Sequence, residues 1–166
     1  MLVAPIDVTL TDDEVARSVK VAEKRNAASC TFTQRHGYVG DPLAPDLPGA
    51  AGEAAFCKAT GIVWSESVNT FKHADVRHNL QIRTAPCRAP KPPDGFGTLI
   101  VRDTDHPLDY FVLVAGRSPH FRVLGWISGA DAKQDHWLRS ESNRPPAWFV
   151  PNAALNKDLS EILLEA

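Results

Sequence analysis

The chain has 166 residues, of which 43% are hydrophobic and 23% charged, so it is long enough to form one folded domain with its own core. Its 18 lysines and arginines against 20 aspartates and glutamates give a net charge of −2, which excludes an overall basic field and leaves only local patches for a polyanion. Three cysteines without a CxxC pair, no apolar run of bilayer length and no signal-peptide pattern exclude disulfide-framework, zinc-ribbon and membrane proteins and favour an intracellular, cytoplasmic compartment.

The first part of the chain predicts two helices separated by a loop. A capping box at Thr11 and Glu14, followed by apolar residues at helical spacing, predicts a helix that runs to about Ala28. Several prolines and glycines predict a loop over residues 37–48. A short alanine-rich helix is predicted after it, over residues 49–61.

The periodicity then changes, and most of the later segments predict strands. In the predicted strand Val76–Thr84, Gln81 and Arg83 alternate with apolar residues and therefore project from the same face. The continuous apolar run over residues 110–116 predicts a strand that is buried on both faces. The remaining predicted elements are strands at 62–64, 98–102, 120–128 and 147–150 and helices at 130–138 and after Asn156.

This order of elements predicts the α/β (α+β) class, as a single domain in which helices flank one central mixed β-sheet. Within that domain, residues 1–48 are expected to hold the first helix and the loop, residues 49–150 the core, and residues 151–166 a C-terminal helix. No internal repeat and no low-complexity tract indicates a second unit.

Four polar residues are candidates for a metal-dependent site. Asp75 lies near the start of the strand that carries Gln81 and Arg83, and we expect the helix of Glu53 to lean over the face of that strand from which they project. Oxygen atoms of Glu53, Asp75 and Gln81 are suitable ligands for Mg²⁺ or Mn²⁺. The Arg83 guanidinium would supply a fixed positive charge near a phosphate, as hydrolysis of a phosphodiester requires.

This ordered set resembles the PD-(D/E)XK nuclease superfamily, whose core carries an acid on a helix, an Asp on one strand and Glu-x-Lys on the next. Glu53 matches the helix acid, Asp75 matches the metal-binding Asp, and Gln81-Ile82-Arg83 falls where Glu-x-Lys is expected. The similarity covers about residues 49–150. It implies a restriction-endonuclease-like core, hydrolysis of DNA phosphodiester bonds with Mg²⁺ or Mn²⁺, and a homodimer.

Two departures from the family pattern leave the catalytic activity open. Gln81 replaces an acid, which weakens the site for a divalent cation, and the guanidinium of Arg83 cannot act as a base. The alternative is therefore a catalytically impaired module that binds nucleic acid or protein. A small phage-encoded accessory protein that binds another protein through exposed aromatic residues is a third hypothesis. Taken singly, Asp75 and Gln81 also fit a turn and a solvent-facing strand edge, and Glu53 fits a surface acid.

The most basic local stretch surrounds these candidates. Arg77, His78, Arg88 and Lys91 are interpreted as a rim that binds the phosphates of a nucleic acid, with DNA favoured over RNA. The same residues also fit a strand edge that is protected against aggregation by charge. The acidic cluster in VRDTDHPLDY is interpreted as a turn between two strands.

Overall fold

A computed structural model describes residues 1–29, 46–68, 75–77, 79–141 and 143–165 of the protein. The predictions for His78 and for most of the loop at 37–48 lie outside these residues. The described helices are α1 (Asp12–Ser29), α2 (Asp46–Thr60), α3 (Gly129–Ala132) and α4 (Ser160–Glu165). The described strands are β1 (Ile6–Thr9), β2 (Leu80–Pro86), β3 (Thr98–Arg102), β4 (Tyr110–Arg117), β5 (His120–Ser128), β6 (Leu138–Arg139) and β7 (Ala147–Pro151). None of these helices has the length and apolar character needed to cross a membrane.

The described strands form two sheets, so the prediction of one central sheet is only partly confirmed. The larger sheet has the order β1-β5-β4-β2 and is mixed, because β2 pairs parallel with β4 while the other pairs are antiparallel. The smaller sheet, β3-β7-β6, is antiparallel. The mixed α/β (α+β) class is confirmed, and the second sheet was not predicted.

The larger sheet is the middle of three layers. One of its faces packs against α2 and α4 in a core that includes Phe56 and Val112. The other face packs against the smaller sheet in a second core that includes Leu99, Phe111 and Val150. Because β4 contributes alternate residues to both cores, its sequence is apolar over residues 110–116, and the predicted burial of both its faces is confirmed.

Local signals determine the start of α1. The Glu14 carboxylate accepts the N–H of Thr11 at 2.7 Å, and the Thr11 hydroxyl accepts the N–H of Glu14 at 3.2 Å. The predicted capping box is therefore confirmed. The second helix, α2, begins at Asp46, three residues before its predicted start, and packs against α1 through Ala50 and its neighbours.

Two strand predictions between α2 and β2 differ from the structure. Residues 62–64 form no strand, since Trp64 packs inward beside the first core and Val63 is 89% exposed without a neighbouring strand. The predicted strand Val76–Thr84 begins only at Leu80, because Val76 forms a single isolated bridge with Leu80 across a tight turn.

Two further differences depend on contacts between distant residues. The helix predicted at 130–138 shortens to α3 and a separate 3₁₀ turn, and between them the Lys133 ammonium donates to the carbonyl oxygens of Asp103 and Asp105. The strand β1 has four residues and was not predicted, because it pairs with β5, more than 100 residues later in the chain.

Candidate functional site

Glu53 lies on the inward side of α2 and is only 3% exposed. Both of its carboxylate oxygens accept hydrogen bonds from the Arg25 guanidinium on α1, at 2.7 Å for Oε1 and 2.9 Å for Oε2. The indole nitrogen of Trp64 also donates to Oε2, at 3.2 Å. This contact is a buried bidentate ion pair, so the negative charge of Glu53 is matched inside the protein.

Arg25 also holds the segment that follows α2. Its Nε and Nη2 atoms donate to the carbonyl oxygen of Ser67 at 3.0 Å and 2.8 Å. One guanidinium therefore links α1, α2 and the chain that leaves α2. Removal of one member of such a pair strongly destabilises the folded protein, because the other charge is then buried without a partner.

Asp75 lies just before β2, which is an edge strand of the larger sheet. Its Oδ2 accepts the N–H of Ile82 at 2.9 Å. Burial, and after it the negative charge of Glu53, raise the pKa of Asp75 to about 6, against the opposing effects of the Ile82 hydrogen bond and of the Arg83 and Arg25 charges. Asp75 is therefore within electrostatic reach of the ion pair. We call Arg25, Glu53 and Asp75 the buried charge cluster.

Gln81 and Arg83 are held by acids from the turn between β3 and β4. The Gln81 amide nitrogen donates to Asp109 Oδ2 at 3.1 Å, and Arg83 Nη2 donates to Asp105 Oδ1 at 2.8 Å. The Arg83 guanidinium carbon also lies 5.5 Å from the centroid of the Phe111 ring, which belongs to the second core. The acidic turn that the sequence suggested thus supplies the partners of both side chains.

The shared face of Gln81 and Arg83 is confirmed, but α2 covers the opposite face of β2. Ile82 lies in the core that contains α2. A Cβ atom on Gly52 would lie 1.9 Å from Thr84 Oγ1, so the α2 backbone packs directly onto that face of the strand. The expectation that the helix of Glu53 would lean over Gln81 and Arg83 is therefore wrong.

The predicted ligands for Mg²⁺ or Mn²⁺ are consequently not brought to one point. Glu53 and Asp75 are electrostatic neighbours, but both oxygens of Glu53 bind Arg25, and the Gln81 amide lies across the strand beside Asp109. Over the residues that the structure describes, no three carboxylate, imidazole or thiol groups converge as a metal site requires. With Glu53 bound to Arg25 in this way, these residues do not fit the ion.

The residues predicted to bind phosphates do not form one rim. Arg77 is exposed at the turn before β2, where its Nη1 donates to a backbone carbonyl of α4 at 3.0 Å. Arg88 and Lys91 are exposed beyond the other end of β2, and Lys91 lies 3.6 Å from a carboxylate oxygen of Asp7. The strand between them spans about 20 Å, and His78 is not among the described residues.

A groove that was not predicted lies on the outer face of the smaller sheet. Ile100 of β3 and Phe149 of β7 are directly paired in this groove, which Arg102, Arg139 and Arg144 also line. Its volume is about 480 Å³. We call these five residues the arginine groove.

Four described arginines elsewhere in the protein form ion pairs with acids, namely Arg17, Arg25, Arg83 and Arg122, and the three arginines of this groove differ from them in their surroundings. Asp103 and Glu141 also line the groove, yet within the described parts of the chain no guanidinium of the groove forms an ion pair with an acid. The guanidinium carbon of Arg139 lies 6.0 Å from the centroid of the Phe149 ring. The sequence does carry a signal for this face, because the consecutive apolar residues Leu99, Ile100 and Val101 place apolar side chains on both faces of β3. In the structure Ile100 points outward and is 40% exposed between two fully buried neighbours.

Comparison with known proteins gives no match: no protein-family model, no curated protein and no solved structure matches this chain. The resemblance to the PD-(D/E)XK nucleases therefore stays a prediction from four residues and their order. The homodimer and the DNA partner stay predictions on the same basis, and the phage origin stays part of the accessory-protein hypothesis.

Proposed function

We propose that the protein is a binding module that holds single-stranded DNA in the arginine groove and does not hydrolyse it. The observation that carries this proposal is one groove lined by three arginines and an aromatic ring, in which no guanidinium forms an ion pair with an acid among the described residues. Phosphate groups can act as the negatively charged partners of these guanidinium groups, and the binding of phosphates by arginine releases counterions from the nucleic acid.

The aromatic ring favours a single strand over a duplex. Phe149 is half-buried on an open sheet face, and Arg139 lies close to its ring. Unpaired bases stack on aromatic rings and on planar guanidinium groups, whereas in a duplex each base face is covered by the neighbouring base pairs. The groove thus combines a surface for base stacking with cations for the backbone.

We infer that the protein does not hydrolyse DNA because the predicted catalytic residues are bound to other side chains of the protein. Glu53 binds Arg25 on one side of β2, and Gln81 and Arg83 bind Asp109 and Asp105 on the other side. Hydrolysis with a divalent cation needs several oxygen ligands and a phosphate at one place. The departures from the Glu-x-Lys pattern are consistent with a module that binds without turnover.

The test measures binding of labelled oligothymidylate by fluorescence anisotropy in EDTA at several salt concentrations. Wild-type protein should bind in a salt-dependent manner. Arg102→Ala combined with Arg144→Ala should reduce the slope of log K against log[salt] by about 1.4, since each phosphate contact on a single strand contributes about 0.7. Lys20→Ala combined with Lys24→Ala removes the same charge from the exposed side of α1 and should leave the slope unchanged.

A second arm of this experiment isolates the stacking contribution. Phe149→Leu retains an apolar side chain but removes the ring, so it should weaken binding by about 1 kcal/mol or more while the salt slope stays the same. The proposal fails if the wild-type protein does not bind the oligonucleotide, or if the α1 double variant loses as much binding as the groove double variant.

A metal-dependent nuclease is the second candidate, and a different observation favours it. Asp75 and Glu53 are neighbouring carboxylates, and the pKa of Asp75 is raised to about 6, as often occurs at functional sites. This activity would require Arg25 to release the Glu53 carboxylate. Incubation of plasmid DNA with the protein and Mn²⁺ distinguishes the two candidates. Cleavage by the wild type that is abolished in Asp75→Asn would replace the binding proposal with the nuclease. No cleavage by either protein supports the binding proposal.

A further inference from the structure

A second cavity lies where the two parallel strands of the larger sheet end. Pro86 at the end of β2 and Gly116 near the end of β4 both line it, and its volume is about 420 Å³. The N–H of Cys87 donates to the carbonyl oxygen of Gly116 at 3.1 Å, which holds the two strand ends together. In open sheets with parallel strands, ligands bind outside the carboxyl ends of the strands. The cavity therefore occupies a position where such folds commonly bind ligands.

The inner wall of this cavity is apolar. Side chains from the first turns of α2 and from β5 form it, namely Leu47, Pro48, Ala51 and Phe121. Phe121 and Ala51 are almost fully buried and belong to the first core, so this wall is held by the fold. An apolar wall of this kind favours a hydrocarbon part of a ligand and disfavours a strongly hydrated one.

Two cations line the same cavity on its exposed side. Arg88 and Arg117 are both exposed, and neither appears in an ion pair with an acid among the described residues. Ser118 is a further lining residue, and its buried hydroxyl oxygen has no hydrogen-bond partner in the described part of the chain. The cavity thus combines an apolar interior with positive charge at its opening.

We propose that this cavity, the strand-end pocket, binds a small anion with an apolar body, of the class of medium-chain carboxylates. The hydrocarbon chain would pack against Phe121 and Ala51, and the carboxylate would lie between Arg88 and Arg117. The volume falls within the range of small-molecule sites, which are largely apolar with a few polar groups that orient the ligand. Guanidinium groups suit this role because they bind planar carboxylates through paired hydrogen bonds.

Isothermal titration calorimetry with octanoate tests the ligand class, and octanol and octylammonium serve as neutral and cationic controls with the same hydrocarbon chain. Octanoate should bind with one site per chain. Octanol should bind about tenfold more weakly or worse, because it lacks the charge-assisted hydrogen bonds to the arginines. Equal binding of octanoate and octanol would overturn the proposal, as would no binding of octanoate at all.

Two matched double variants test the position of the ligand. Arg88→Ala with Arg117→Ala should weaken octanoate binding about tenfold or more. Arg102→Ala with Arg144→Ala removes the same charge from the arginine groove and should leave octanoate affinity unchanged. If both double variants lose octanoate affinity equally, the strand-end pocket is not the site. Oligothymidylate binding by the Arg88, Arg117 double variant shows separately whether the proposed function stands.

Cys87 provides a reporter that needs no substitution in the pocket. It lines the cavity and is 9% exposed, whereas Cys57 is 2% exposed within the first core. Bound octanoate should slow alkylation of Cys87 by iodoacetamide, read by peptide mass spectrometry, with half of the effect at the Kd from calorimetry. Alkylation of Cys57 should not change. Octanoate binding without any protection of Cys87 would place the ligand elsewhere and contradict the proposal.

Discussion

The buried charge cluster and the arginine groove use the same kinds of side chain in opposite ways. In the cluster, both oxygens of the Glu53 carboxylate accept hydrogen bonds from Arg25, and the Trp64 indole donates to one of them. In the groove, three guanidinium groups and an aromatic ring lie at the surface with no acidic partner among the described residues. A charge already bound within the protein has little remaining capacity for a ligand, whereas an unmatched surface charge retains it.

This contrast changes the interpretation of the chain. The residues that most resembled a catalytic site are part of the internal support of the fold, since Glu53, Gln81 and Arg83 each bind a side chain from another element. The residues of the arginine groove, which support the proposed binding of DNA, lie on and around β3 and β7, where the sequence predicted strands and no site. Residue type therefore pointed to the chemistry of the groups, and the contacts decide whether those groups are available.

The largest expected effect is on stability, through the cluster. Arg25→Ala would leave Glu53 buried without a counter-charge, so we expect the free energy of unfolding to fall by about 3–5 kcal/mol. Arg17→Ala is the matched control, because Arg17 and Glu66 form an ion pair whose side chains are 54% and 38% exposed; it should cost less than about 1 kcal/mol. Urea denaturation measures both. Similar losses in the two variants would mean that burial does not distinguish these pairs.

The next effect concerns pH. The pKa of Asp75 rises from 3.8 to about 6 on folding, so the folded chain binds more protons than the unfolded chain between these values. Its stability therefore falls as the pH rises through this range. Asp75→Asn resembles the neutral acid and removes this dependence. We expect the free energy of unfolding of the variant, relative to that of the wild type, to increase by on the order of 3 kcal/mol as the pH rises from about 4 to about 7. Urea denaturation at each pH gives the difference in free energy of unfolding between the variant and the wild type. A difference that does not change with pH would contradict the raised pKa of Asp75.

The smallest effect is expected in the groove. Arg102→Ala with Arg144→Ala should change the free energy of unfolding by less than about 0.5 kcal/mol, because these side chains have no acidic partner to lose within the described residues. The measurement is again the urea midpoint, at neutral pH. A loss comparable to that of Arg25→Ala would show that the groove arginines support the fold, and it would weaken their assignment to nucleic-acid binding.

The elements that the sequence predicted well depend on local signals or on strong apolar runs. The capping box at Thr11 places its hydrogen bonds within three residues, so the start of α1 is visible in the sequence alone. The apolar run of β4 can only be buried on both faces. By contrast, β1 and the lost strand at 62–64 depend on whether a partner strand lies beside them, and that partner comes from a distant part of the chain.

The candidate site shows the same division. Period-two alternation places Gln81 and Arg83 on one face of β2, and the structure agrees. The alternation does not state which layer covers that face. Here the acidic turn between β3 and β4 covers it, while α2 packs on the other side at Thr84. Because both faces of β2 are covered, the strand's own pattern could not assign Glu53 to either of them.

By itself, the sequence determined the α/β (α+β) class, the start of the first helix, the doubly buried strand and the shared face of Gln81 and Arg83. All of these follow from hydrogen bonds and periodicities within a few residues. Only the tertiary structure decided which charges meet: it joined Glu53 to Arg25 and turned Gln81 and Arg83 away from both. Coulomb energy and hydrogen bonding depend on distance in space, and that distance is set by how the layers pack.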